Sequence, residues 1–216
     1  MILIFDASIE GFLVGLFNPE GSLIAHIENR TPFSHTELLV PTIQDVLTKA
    51  NIEFKDLTKV ITTKGPGSFT GIRVGLATAA GFRAALNIPV IAVNTLAALV
   101  HSSLHHHHHS SAAARVHAVL DTKCGDLYHQ AFTYTHMGAR ADDPPRSISL
   151  SELILTASAE PIITHPSSMP ALEKVSCITA PLTFEGIWNA AQKAADDTLQ
   201  PLYVRSANIN PPKIHV

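Results

Sequence analysis

Gly65-Pro66-Gly67-Ser68-Phe69-Thr70-Gly71-Ile72-Arg73 decides how this chain folds. An apolar run, Val60-Ile61-Thr62-Thr63, precedes it, and a small-residue run ending near Leu86 follows. That order predicts a strand, a glycine-rich turn and the start of a helix. Such a turn can hold a phosphate, because a helix N-terminus offers free N–H groups and the positive end of a dipole. It can equally let two backbones pack closely. The phosphate patterns are incomplete. A Walker loop needs Lys and then Ser or Thr after its last glycine, whereas Ile72 and Arg73 follow Gly71. The G-x-G-x-x-G spacing of dinucleotide sites fails because the third glycine comes one residue late. Gly71, Gly75, Ala79 and Arg83 recur at four-residue steps along the helix. A glycine in a helix costs about 1 kcal/mol relative to alanine. Close helix packing, within the chain or between chains, explains that cost.

Outward from this turn, residues 2–5 read as a buried strand and residues 12–17 and 23–28 as a hairpin around Asn18-Pro19-Glu20-Gly21. Ser34-His35-Thr36-Glu37 has the form of a capping box. It opens a helix carrying Leu39, Ile43, Val46, Leu47 and Ala50, which Pro41 is expected to bend. Residues 90–93 read as a strand, and a helix starts at Thr95. The second half repeats the theme: strands at 116–120, 127–134 and 147–150, a helix at 153–158, a strand at 161–164 and a helix at 184–195, with a loop over 138–146. In each half the first strand ends in an aspartate, Asp6 and Asp121. Two successive β-β-β-α-β-α units predict a duplicated α/β architecture. The expected organisation is an N-terminal lobe over 1–100, a His-rich linker over 101–115 and a smaller C-terminal lobe over 116–216.

At 216 residues, 46% apolar and 15% charged, the chain has the composition of a folded, core-rich protein. A net charge of −3 gives no overall basic footprint for nucleic acid. The apolar runs fall far short of the roughly 18 residues of a membrane span, and the first six residues lack a signal peptide's basic start. Cys124 and Cys177 are single and far apart, which fits a reduced, cytoplasmic protein.

The glycine segment resembles the signature of the TsaB (YeaZ) family. Further matches follow in the same order: Leu3-Ile4-Phe5-Asp6-Ala7-Ser8, His35-Thr36 with Leu39 and Pro41, Val93-Asn94-Thr95-Leu96, Asp121-Thr122-Lys123 with Gly125-Asp126-Leu127-Tyr128, and Pro201-Leu202-Tyr203-Val204-Arg205. They cover most of residues 1–135 and the segment from Pro201. The resemblance implies an actin-like (sugar kinase/heat-shock 70) fold of two RNase H-like lobes. It implies a non-catalytic subunit for N6-threonylcarbamoyladenosine (t6A) at position 37 of tRNAs reading A-starting codons. Such a subunit binds its catalytic paralogue TsaD, is joined by the ATPase TsaE, meets tRNA through the complex, and forms a homodimer when alone. Carried over, the partner interface comprises His35, Thr36, Leu39, Val40 and Ile43 with Gly71, Ile72, Val74, Gly75 and Thr78.

The residues give little to an independent catalyst. The paralogue's metal pair looks like His-x-x-x-His after Asn94, and here Thr95-Leu96-Ala97-Ala98-Leu99 carries no ligand. No glycine follows Asp6 until Gly11, so Asp6 reads as structural. No catalytic residue, cofactor or physiological metal is expected. His105-His106-His107-His108-His109 can bind a divalent ion through imidazole nitrogens, and its plainer reading is a solvated low-complexity loop. Trp188 with Phe184 and Ile187 reads as core. Arg73 and Arg83 suit either tRNA or a partner carboxylate. The competing functions are an ATP-dependent kinase or a metallopeptidase of the same superfold, and a self-dimerising protein without a TsaD contact.

Overall fold

The computed structural model describes residues 1–30, 38–103, 113–135, 138–194 and 198–204. Its first sheet is built from β1 (Ile2–Asp6), β2 (Phe12–Phe17), β3 (Leu23–Asn29), β4 (Lys59–Thr63) and β5 (Val90–Val93), in the order β3-β2-β1-β4-β5. β1 pairs antiparallel with β2 and parallel with β4. Every residue of β1 is buried, because both faces of this strand are covered. Leu3 and Phe5 point to one face, where they meet Leu39, Ile43, Val46 and Leu47 of α1 (Leu39–Lys49). Ile2 and Ile4 point to the other, where they meet Phe184, Ile187 and Ala190 of α5 (Phe184–Ala191). The alternation is the period of a strand, and the spacing along α1 is that of one helix face.

Of two expectations for α1, one is corrected and the other falls outside the described residues. The helix begins at Leu39 behind Leu38, which provides no side-chain cap; the box at Ser34–Glu37 lies outside the described residues. Pro41 therefore sits in the first turn, where a backbone N–H has no acceptor within the helix, and it does not interrupt the ladder. The glycine turn leads into α2 (Phe69–Leu86), capped by Ser68, whose Oγ accepts the Gly71 N–H at 3.2 Å.

The second sheet repeats the first. β6 (Ala114–Asp121) pairs antiparallel with β7 (Leu127–Thr135) and parallel with β10 (Ile162–Thr164), which pairs with β11 (Ile178–Thr179). Its third strand comes in two pieces, β8 (Gly138–Ala141) and β9 (Arg146–Ile148), both on β7. β8 lies where a loop is expected, and β11 and a 3-10 turn at Pro166–Leu172 are also beyond the pattern reading. Asp6 and Asp121 end equivalent strands, and each carboxylate accepts the backbone N–H two residues on, from Ser8 at 3.1 Å and Lys123 at 2.8 Å. Two such units make the duplicated RNase H-like arrangement of the actin-like fold.

The halves exchange helices. α3 (Thr95–Ser103), from the first half, lays Leu96, Leu99 and Val100 on Val116, Ala118, Leu120 and Phe132 of the second sheet. α5, from the second half, covers the first sheet. The two helices cross at Gly186, where an added Cβ would stand 1.9 Å from Ser102 Oγ and 2.5 Å from the Ala98 carbonyl oxygen. Packing therefore joins the two halves through these helices. Of the expected linker, 104–112 lies outside the described residues, and with it His105–His109. α4 (Leu150–Ala157) covers the second sheet with Leu153 and Ala157.

Candidate partner-docking surface at the glycine turn

The glycine turn is closed by its own chain. A Cβ on Gly71 would stand 1.7 Å from the Ala7 carbonyl oxygen, and one on Gly67 2.0 Å from that of Ser8. Only glycine permits so close an approach. The Ser68 N–H donates to Ser8 O at 2.6 Å, and the Ile72 N–H to Ser68 O at 2.9 Å. Gly65 O accepts the Thr95 N–H at 2.8 Å, and Lys64 O accepts the Leu202 N–H at 2.7 Å. Carbonyl oxygens of Ala7 and Ser8 thus face the turn where a phosphate would need donors. Of the two uses open to this segment, the geometry matches close backbone packing.

Asp6 lies directly beneath. It accepts from Ser8 Oγ at 2.5 Å and from the Thr63 hydroxyl, and Ser8 Oγ in turn accepts from Thr95 Oγ1 at 3.1 Å. Burial pushes the Asp6 carboxyl up from its ordinary value, against the hydrogen bonds from Ser8 and Thr63 that pull it down. This network ties the ends of β1 and β4 to the start of α3.

The structure separates the ten residues of the expected interface. Leu39 and Ile43 are fully buried against the sheet, and Gly71, Ile72 and Gly75 lie on the buried face of α2. α1 and α2 turn these five positions toward the chain's own core. Val74 and Thr78 are half-buried, and Val74 packs against the core cluster that includes Leu39 and Ile43. Val40 is 49% exposed. His35 and Thr36 lie outside the described residues. The outward stripe of α2 is instead Arg73, Ala77, Ala80, Gly81 and Ala84. Its small side chains leave the helix backbone open to close approach, and a Cβ on Gly81 would meet nothing within 4 Å. The stripe read from sequence spacing, Gly71, Gly75, Ala79 and Arg83, lies on the inward face of α2.

At the start of α2 an exposed cluster completes this surface. Phe69 is 41% and Tyr203 44% exposed, with ring centroids 5.3 Å apart. The Arg73 guanidinium lies 3.9 Å above the Phe69 ring, and its Nε donates to the Tyr203 hydroxyl at 2.8 Å.

A second polar cluster is buried in the other lobe. His117 Nε2 lies 2.6 Å from Glu160, and His117 Nδ1 lies 2.8 Å from His129 Nε2. With Glu160 as acceptor, His117 donates from Nε2 and His129 from Nε2, which leaves His129 Nδ1 buried without a partner. Burial, then the neighbouring His117 and Arg146, hold His129 down to about 4. The Trp188 ring lies 5.9 Å from that of Phe17, tilted by 38°, and covers Gly21, consistent with a core role. Among the described residues no group of three His, Cys, Asp or Glu is placed to hold a metal ion, and no helix is long and apolar enough to cross a membrane.

A family model described as TsaD: tRNA N6-adenosine threonylcarbamoyltransferase matches residues 30–193. The chain belongs to this family. Within it the likeness is to TsaB (YeaZ) proteins. The tRNA threonylcarbamoyladenosine biosynthesis protein TsaB of Escherichia coli K12 is 29% identical over 153 residues, 71% of this chain and 64% of that one. Its namesake in Buchnera aphidicola from Acyrthosiphon pisum is 30% identical over 118 residues, 55% and 52% of the two chains. That of Bacillus subtilis is 25% identical over 133 residues, 62% and 56%. The matches thus span about half to two-thirds of the length of these curated relatives. YeaZ from Pseudomonas aeruginosa superposes with a TM-score of 0.74 at 21% identity, over 94% of this chain and 98% of that one. This likeness speaks to the fold, and it extends through both lobes.

Proposed function

We propose that this TsaB-family chain is a non-catalytic accessory subunit in the cytoplasmic synthesis of t6A at position 37 of tRNAs reading A-starting codons. It docks on a catalytic TsaD paralogue through α1 and α2, orders it, and helps form the site used by the ATPase TsaE and the tRNA. Alone, it pairs with a second copy through the same surface. The observation that carries this reading is the closed glycine turn: the carbonyl oxygens of Ala7 and Ser8 pack against Gly71 and Gly67, where a bound phosphate would need donors. The outward α2 stripe supports it, because a helix of small residues ending in an aromatic and arginine cluster suits helix-on-helix docking.

The deciding experiment is t6A formation in a reconstituted mixture with and without this chain, beside the chain alone with ATP and Mg²⁺. Product formed only when this chain, TsaD and TsaE are together, with no turnover by the chain alone, is the expected result. ATP turnover by the purified chain would overturn it and return the glycine turn to phosphate chemistry.

A further inference from the structure

Residues 198–204 return from the second lobe and strap the glycine turn. Leu199 packs on Ile72, Leu76 and Ala92. The Leu202 N–H closes on Lys64 O, and Leu202 O would lie 3.2 Å from a Cβ on Gly65. Tyr203 is thereby fixed beside the first turn of α2. Its ring stacks on Phe69, and its hydroxyl takes the Nε of Arg73.

An exposed arginine samples many rotamers, and ordering it on binding is costly. Arg73 is ordered beforehand. One face of its guanidinium lies on Phe69 and its Nε is engaged. Its two terminal nitrogens have no partner among the described residues, and the side chain is exposed. A planar fork held in this way matches a carboxylate with two parallel hydrogen bonds. The surroundings favour a protein over a nucleic acid. Phe, Tyr and Arg beside an apolar helix face have the composition of a protein–protein hot spot. Nucleic-acid surfaces instead array several cations along the phosphates, and this chain carries a net charge of −3.

We infer that the strap, through Tyr203 and together with Phe69, holds Arg73 as a preformed carboxylate receptor at the edge of the docking surface, to be met by an Asp or Glu of the partner subunit. The inference rests on the docking role proposed above and adds to it the recognition chemistry and a part for the strap. Tyr203 is a positioning residue here, since it acts through Arg73.

The test measures binding of the full chain to the catalytic TsaD subunit of the same organism by calorimetry at low and high salt, with melting temperature as the folding control. Arg73→Gln weakens binding about ten-fold and flattens its salt dependence. Arg73→Lys keeps the charge, loses the fork and restores only part of that loss. Tyr203→Phe keeps the ring and weakens binding about three-fold. Unchanged binding by Arg73→Gln, with Val40→Glu disruptive, overturns the receptor and leaves the docking role standing. Retained partner affinity with loss of tRNA retention on a filter also overturns it, since the fork would then be taking phosphate. No binding by the wild-type chain removes both the docking role and the receptor.

Discussion

Gly71, in the first turn of α2, stands against Ala7, just past the end of β1, so closely that a single methyl group on Gly71 would fall 1.7 Å from the Ala7 carbonyl oxygen. The obstacle is backbone, which cannot rotate away. Gly71→Ala must therefore shift α2 off the β1 loop, breaking the Ser68–Ser8 hydrogen bond. Overpacking of this kind costs about 1–3 kcal/mol, occasionally more. Chemical denaturation should show a loss at or above the top of that range. Gly81→Ala, on the open face of the same helix, should instead gain up to about 1 kcal/mol.

Asp6→Asn removes a buried charge yet keeps an oxygen for Ser8 and Thr63. Because the folded carboxyl titrates above its ordinary value of 3.8, its protonated form favours the fold. That contribution is full below 3.8 and is lost as pH rises through the folded value. Asp6→Asn should therefore hold wild-type stability or exceed it at pH 7.5. Asp6→Ala strands two hydroxyls and should lose about 2 kcal/mol. A large loss in Asp6→Asn would show that the carboxylate charge itself is needed.

Three buried histidines set an acid limit. Burial holds His101, His129 and His165 down to about 4 from 6.5. For each, the unfolded chain binds the proton first, so the stabilising difference is complete above 6.5 and disappears as pH falls through 4. The difference is on the order of 3 kcal/mol per group. Urea midpoints should fall steeply between pH 6.5 and 4, and His129→Gln, whose amide can still donate to His117, should flatten that slope.

Val40 offers a clean probe of docking. It is the second residue of α1 and half-exposed. An acidic residue there faces the positive end of the helix dipole, worth about 0.3–1 kcal/mol in favour of the helix. Val40→Glu should melt at or above the wild-type temperature while binding to TsaD falls at least about ten-fold. Val74→Glu is less informative, since Val74 is half-buried and packs against the core cluster that holds Leu39 and Ile43.

The crossing of α3 and α5 tests the helix exchange. Gly186→Ala drives a methyl into Ser102 and the Ala98 carbonyl. It should destabilise the chain by about 2–3 kcal/mol and speed proteolysis in both lobes, because each helix covers the other lobe's sheet.

Much of the fold is legible along the chain because local signals agree. The apolar run of β4, the glycine turn and the Ser68 cap all call for strand, turn and helix, and β5 falls at the expected residues. β8 is hidden because Gly138-Ala139-Arg140-Ala141 holds no β-branched or aromatic residue, and it forms a strand by pairing with β7. Pro41 misleads because its effect depends on where the helix starts. The outward face of α2 is not legible for another reason: the helix carries Gly and Ala on both faces, so composition cannot say which face meets the sheet. The Arg73–Tyr203 bond joins residues 130 positions apart, and no local pattern announces it.

The exchange of helices also orders events during synthesis. β1, β2, β4 and β5 emerge from the ribosome early, yet one face of their sheet is covered by α5, and the glycine turn is strapped by Leu202. Until residues 182–203 have been made, Ile2, Ile4, Leu13 and Ile61 present an uncovered apolar surface. A nascent chain in this state is a natural client for a chaperone. The first lobe can finish folding only when the second is nearly complete, so the two reach the native state together.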